Sequence, residues 1–116
     1  MLTAMRAFTA STGVQEQGCG ALRNLARDDD SKVTVAALGG VEVVLAGMRA
    51  HVGAAGVQEA GCGALYNIFC DAGNVQRVKA LGAGGVRDVV GEARAAHPSN
   101  SYVQSMVKHV LDMLAR

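Results

Sequence analysis

The chain has 116 residues, half of them hydrophobic but only 3% aromatic, and its 11 basic and 10 acidic side chains leave a formal charge of +1. That length suits one compact domain or a short array of stacked units, and the charge balance supplies neither the basic footprint of a nucleic-acid binder nor a polybasic membrane patch. An interior built from Ala, Val, Leu and Met predicts closely packed helices, and Lys32, Glu42, Arg49 and Glu59 interrupt any run of about 18 apolar residues that could span a membrane.

The opening MLTAMRAFTASTG lacks the charged start and long apolar run of a signal peptide. Next comes GVQEQGCGALRNLA (13–26), which returns 43 residues later as GVQEAGCGALYNIF (56–69) with ten of fourteen positions identical. LTAMRA (2–7) returns at the same offset as LAGMRA (45–50), so the repetition extends upstream, and a period near 43 is that of helical repeat arrays. Downstream the offset grows to 45 for the Gly-Gly-Val segments and 46 for the Val-Gln pairs. Insertions of that size belong in loops.

Each unit is read as three helices. The first is short, SKVTVAAL (31–38) or NVQRVKAL (74–81), each preceded by Asp-rich or Gly-containing turn residues. A second starts at Gly39-Gly40 or Gly84-Gly85, carries Val41, Val44, Leu45 and Met48 at helical spacing, and ends near His51 or before Pro98. The repeated phrase is the third, with Val14, Gly18, Leu22 and Leu25 on one expected core face and Val57, Gly61, Leu65 and Ile68 on the same face of its copy. Thr12 with Gln15, and Ser101 with Gln104, fit a capping box that Ala55 breaks in the middle copy. Gly18 and Gly61 each cost about 1 kcal/mol relative to Ala in a helix, which predicts a neighbouring backbone too close for a side chain. Gly20 and Gly63 lie off that face and need a separate reason.

Three cysteines are an odd number, and Cys19 and Cys62 hold matching positions in the phrase, as small buried side chains would. Unpaired thiols place the protein in the cytoplasm or nucleus. GAGGV (82–86) follows a helical pattern, not a strand, so it reads as a helix start and not as a nucleotide loop. Asp28-Asp29-Asp30 lacks the alternating spacing of a calcium loop and reads as a turn that caps the next helix. His51, His97 and His109 are dispersed, with no metal-ligand spacing, and no nucleophile, base and acid converge in the pattern. The chain is therefore expected to be noncatalytic, with no cofactor and no metal.

In order and spacing, GGVEVVLAGM and GGVRDVVGEA, followed by VQEQGCGALRNLA and VQEAGCGALYNIF, resemble the second and third helices of armadillo repeats. The resemblance runs over the whole chain as a partial repeat (1–27), a full repeat (28–70) and a final repeat (71–116). It implies an all-α, right-handed superhelical solenoid of about two and a half three-helix repeats, whose third helices line a concave groove. In importin-alpha and beta-catenin relatives the third-helix asparagine holds the backbone of an extended peptide, and Asn24 and Asn67 stand at that position. An amide both donates and accepts, as a peptide unit does. Glu16, Arg23 and Arg27 in one repeat, and Glu59, Tyr66 and Cys70 in the next, are expected to set specificity on the same face. Importin-like repeats carry Trp four residues before the asparagine; here Gly20 and Gly63 stand there, which argues against binding of nuclear-localisation signals. The last repeat has Met113 in place of the asparagine and His109 in place of the glycine. The implied function is a protein-interaction module for an extended peptide or partner helix, with no nucleic acid or membrane partner. The alternative is a segment of a longer solenoid that self-associates into a homo-oligomer through its end repeats, since LDMLAR shows no dedicated polar cap.

Overall fold

A computed structural model describes residues 2–81 and 84–115. Among the described residues the chain forms eight helices and no strand: α1 (Leu2–Ala7), α2 (Thr12–Leu25), α3 (Asp29–Ala37), α4 (Gly40–Ala50), α5 (Ala55–Phe69), α6 (Ala72–Ala80), α7 (Gly84–Ala96) and α8 (Ser101–Ala115). The first two residues of GAGGV, at 82 and 83, lie outside the described residues; its last three open α7. No single helix among those described is long and apolar enough to cross a membrane.

Local chemistry sets the boundaries. Asp28 caps α3 by accepting from the Ser31 N–H at 3.0 Å, and Asp71 caps α6 by accepting from the Asn74 N–H at 2.9 Å. The Ser31 backbone N–H is the first cause that holds the Asp28 carboxyl below its ordinary range. Between α3 and α4 the axis bends by 72° at Gly39, whose φ of +89° is the left-handed conformation that a side chain resists. The third helices start one residue earlier than the expected boxes. Ser11, not Thr12, accepts from the Val14 N–H at 3.3 Å, and Asn100, not Ser101, accepts from the Val103 N–H at 3.0 Å.

That shift frees the repeated glutamines for another task. Gln15 Nε2 donates to the Met5 and Phe8 carbonyls at 2.9 and 3.0 Å, and Gln58 Nε2 donates to those of Met48 and His51 at 3.0 and 2.9 Å. Gln104 Nε2 donates to the Arg94 and His97 carbonyls, both at 3.0 Å. Each glutamine thus closes the C-terminal end of the preceding second helix, where carbonyls have no intrahelical donor. The histidines bridge copies: His51 Nε2 bonds the Thr9 carbonyl at 2.7 Å and His97 Nε2 bonds that of Val52 at 2.8 Å. A carbonyl can only accept, so Nε2 carries the proton in both rings. In the neutral ring, His51 Nδ1 then accepts from the Thr12 hydroxyl 3.2 Å away.

Every helix packs against its sequence counterpart one unit later: α2 on α5 and α5 on α8, α1 on α4 and α4 on α7, α3 on α6. The core runs through these rows, with Val44, Met48, Val57, Leu65 and Ile68 fully buried. Burial on that scale stabilises by about 1.5–3 kcal/mol per large aliphatic side chain. Two expected core residues depart from this pattern. Val14 is half-buried and Leu25 is 46% exposed, whereas their counterparts Val57 and Ile68 are 0% exposed; among the described residues no helix covers Leu25 as α2 and α3 flank α5.

The glycine positions have distinct causes. A Cβ at Gly18 would lie 2.5 Å from Met5 Cγ, and one at Gly61 would lie 2.6 Å from Met48 Cγ, so a methionine side chain, not a backbone, fills the space expected at both. At Gly63 a Cβ would meet Arg23 Cδ at 2.5 Å and the Tyr102 hydroxyl at 2.6 Å. Gly20 has nothing within 4 Å, and nothing in the packing explains it.

Cys19 and Cys62 are fully buried and Cys70 is exposed, all as free thiols. Burial pushes the Cys19 and Cys62 thiols up to about 12, so neither forms the reactive thiolate near neutrality. Iodoacetamide at pH 8 should therefore add one adduct to the native protein, at Cys70, and three after denaturation, as read by mass spectrometry. Rapid native labelling at Cys19 or Cys62 would contradict the packing.

The outer face of α7 and α8 carries charged side chains. Asp88 and Glu92 are exposed where the previous unit buries Val43 and Gly47, and Lys108 is exposed where it buries Cys62. Charges at those positions oppose stacking of another apolar helix layer there.

Candidate functional site

α2 and α5 run parallel, since Glu16 near the start of one lies against Gly56 near the start of the other, and Asn67 near the end of one bonds Arg23 near the end of the other. Between them lies a polar cavity of about 460 Å³, lined by Glu16, Arg23, Asn24 and Glu59 together with Gly20 and Gly56. Glu16, Arg23, Asn24 and Glu59, four of the eight residues expected to contact a partner, thus come together in one depression. The repeat phrase places them there, because a 3.6-residue period puts positions 16, 20, 23 and 24 on neighbouring turns of one helix face.

The Glu16 carboxylate sits over Gly56 in the first turn of α5. Ala54, the N-cap of that helix, has no side chain to offer, and an anion from the neighbouring helix complements the exposed N–H groups and the positive end of the dipole. Gly56 is the residue that leaves room for it. Sequence reasoning singled out Glu16 but not this glycine, whose signal was its position beside a missing cap.

Asn67 Nδ2 donates to the Arg23 carbonyl at 2.8 Å, which closes the C-terminal end of α2. This amide is engaged between helices. Asn24 is exposed, and its side chain has no hydrogen-bond partner among the described residues. The two copies of one residue therefore stand in different states, one tied and one open.

Arg23 extends over Gly63 towards Tyr102, a residue the sequence pattern did not bring forward. The Arg23 Nε is buried with no acceptor, and the Tyr102 hydroxyl has no partner among the described residues. The Arg23 aliphatic stem and the Tyr102 hydroxyl flank the point where a Gly63 Cβ would be, with Cδ at 2.5 Å and the hydroxyl at 2.6 Å. An unpaired buried donor costs about 1–3 kcal/mol, so the arrangement favours an incoming acceptor.

Tyr66 faces His109, with ring centroids 5.7 Å apart and tilted by 52°. It also lines a second hollow, of about 410 Å³, with Phe69, Cys70, Val75, Gln76 and Met113. Arg27 is exposed just beyond α2 and lines neither hollow. Among the described residues no group of three His, Cys, Asp or Glu side chains is placed to hold a metal ion. Comparison with protein-family models, curated proteins and solved structures gives no match.

Proposed function

We propose that the chain is a noncatalytic protein-interaction module, an armadillo-type helical array whose third-helix groove takes an extended peptide. The observation that carries this reading is the cavity between α2 and α5, where the free Asn24 amide and the acceptor-seeking Arg23 lie in one depression with Glu16 and Glu59. Asn24 can pair with both the N–H and the C=O of a peptide unit, and Arg23 with Tyr102 can donate to a carbonyl or carboxylate beside it. Further support comes from the helix order: a first helix of nine residues, a longer second and a fifteen-residue third occur twice in succession, with the matched glutamine and histidine bonds repeating at the sequence period. A soluble setting in the cytoplasm or nucleus belongs to the same reading and rests on the unpaired thiols.

End-to-end self-association between folded copies is the weaker alternative, because α7 and α8 turn Asp88, Glu92 and Lys108 outward. The groove reading is tested by selecting peptides from a displayed library of random 12-mers and measuring their affinity for variants. Arg23→Ala and Asn24→Ala should each weaken binding about 5–30-fold, the range that loss of one or two hydrogen bonds gives, while circular dichroism stays unchanged. Peptides that bind both variants as tightly as the parent would remove the cavity from the function. Asn67→Ala is a poorer probe, since it also opens the end of α2.

A further inference from the structure

The hollow between α2 and α5 holds three charged side chains, and none of them is paired. Glu16 is exposed, Arg23 and Glu59 are half-buried, and none of the three has an ion-pair partner among the described residues. Opposite charges in one half-closed space ordinarily join, because a charge that loses water without gaining a partner is destabilised. Here they stand apart. The Arg23 stem reaches from α2 over Gly63 of α5, where the exposed Tyr102 of α8 brings its hydroxyl, whereas Glu59 lies one turn earlier on α5 and Glu16 lies about a turn earlier again, over Gly56. Each wall is thus an interior contact between successive third helices.

The charges are also in order. Along α5, Glu59 and Gly63 are four residues apart, which is about 6 Å on a helix axis. Residues two apart in an extended chain point to one side at a spacing of about 6.5–7 Å. An extended segment lying along this hollow can therefore set one side chain beside Glu16 and Glu59 and its next same-side neighbour beside Arg23 and Tyr102. The first position is complementary to a cation. The second is complementary to a carboxylate, which can accept from the guanidinium and the phenol hydroxyl together, in bonds stronger than those of a neutral carbonyl. We propose that the groove selects a mixed-charge segment, with a Lys or Arg and an Asp or Glu two residues apart in an extended partner peptide, a narrowing that rests on the peptide reading of this groove. The two glutamates disfavour a run of acidic residues, and Arg23 disfavours a run of basic ones.

Eight-residue peptides of Ser, Gly and Ala, blocked at both ends to remove terminal charge and differing only at two central positions, test this on the full chain. The central pairs are Lys-x-Glu, Glu-x-Lys, Lys-x-Lys, Glu-x-Glu and Gln-x-Gln. Fluorescence anisotropy should place one of the two mixed peptides about tenfold or more above the other three classes, the factor carried by a charge-assisted bond. Arg23→Glu should move the preference to Lys-x-Lys, Glu59→Gln should reduce the advantage of the mixed peptide, and Lys108→Ala should change nothing. Tyr102→Phe serves if the Arg23 variant misfolds, and should weaken the mixed peptide more than Lys-x-Lys. Equal affinities for all five peptides, each still weakened by Arg23→Ala, would overturn the charge selection and leave the groove as a peptide site. Tightest binding of Glu-x-Glu or Lys-x-Lys to the parent chain would also overturn it, as would no binding of any of the five at millimolar concentration. Failure of the groove itself reads differently, as library-selected peptides indifferent to Arg23→Ala and Asn24→Ala.

Discussion

Replacing Gln58 by Leu is expected to cost about 2–4 kcal/mol, a large share of the roughly 5–15 kcal/mol that holds a domain together. The side chain is 1% exposed and its amide is the donor to two carbonyls, those of Met48 and His51. Leucine matches the volume closely enough to avoid a cavity, so the loss reports the two stranded carbonyls at about 1–3 kcal/mol each, reduced where water re-enters beside His51. Gln104 makes the matching pair of bonds but is only half-buried, and solvent can replace its donor. Gln104→Leu should therefore cost about 1 kcal/mol or less. Urea unfolding of both variants measures the difference. Equal, small losses would mean that the repeated Val-Gln pair is not the tie that fastens a third helix to the second.

The glutamines also mark where the sequence stops being readable. Their recurrence is plain in the phrase, and so are the helix it forms and the placement of Glu16, Arg23 and Asn24 on one face. Their hydrogen-bond partners are not. Ser11 and Thr12 are both competent caps, and which of them leaves the helical conformation is decided by the turn from α1; once Ser11 takes the role, Gln15 lies a residue too far along for a capping box. The histidines looked dispersed because their acceptors are 42 and 45 residues away in sequence. Gly63 is similar, since its reason is an arginine forty positions earlier and a tyrosine from the last unit.

Leu25 shows the opposite limit. Helical period correctly groups it with Val14 and Leu22, but burial depends on whether a neighbour covers the face, and periodicity along α2 carries no information about that neighbour. The same holds for the asparagines: Asn67 is bonded because α2 ends beside it, and Asn24 is open because no helix end lies in the equivalent place among the described residues. A repeat alphabet thus fixes what each face can do, while stacking position decides which faces do it.

Gly61→Val with and without Met48→Ala should expose how closely α4 and α5 interlock. A Cβ at 61 would stand 2.6 Å from both Cγ and Sδ of Met48, which is 0% exposed. Valine alone is expected to cost about 1–3 kcal/mol through overpacking, even though it relieves part of the entropic cost of glycine in a helix. Met48→Ala alone should cost about 2–5 kcal/mol by leaving a cavity. Combined, the two changes put volume back where it was removed, and the double variant should be more stable than the sum of the losses by at least about 1 kcal/mol. At Gly18 the partner is Met5, but both line an open hollow of about 690 Å³, so the methionine can swing aside. Gly18→Val should cost under about 1 kcal/mol and show little coupling to Met5→Ala. Thermal or urea unfolding of the two cycles decides the matter: strong coupling at both glycines, or at neither, would show that the packing around this repeated pair does not depend on its place in the stack.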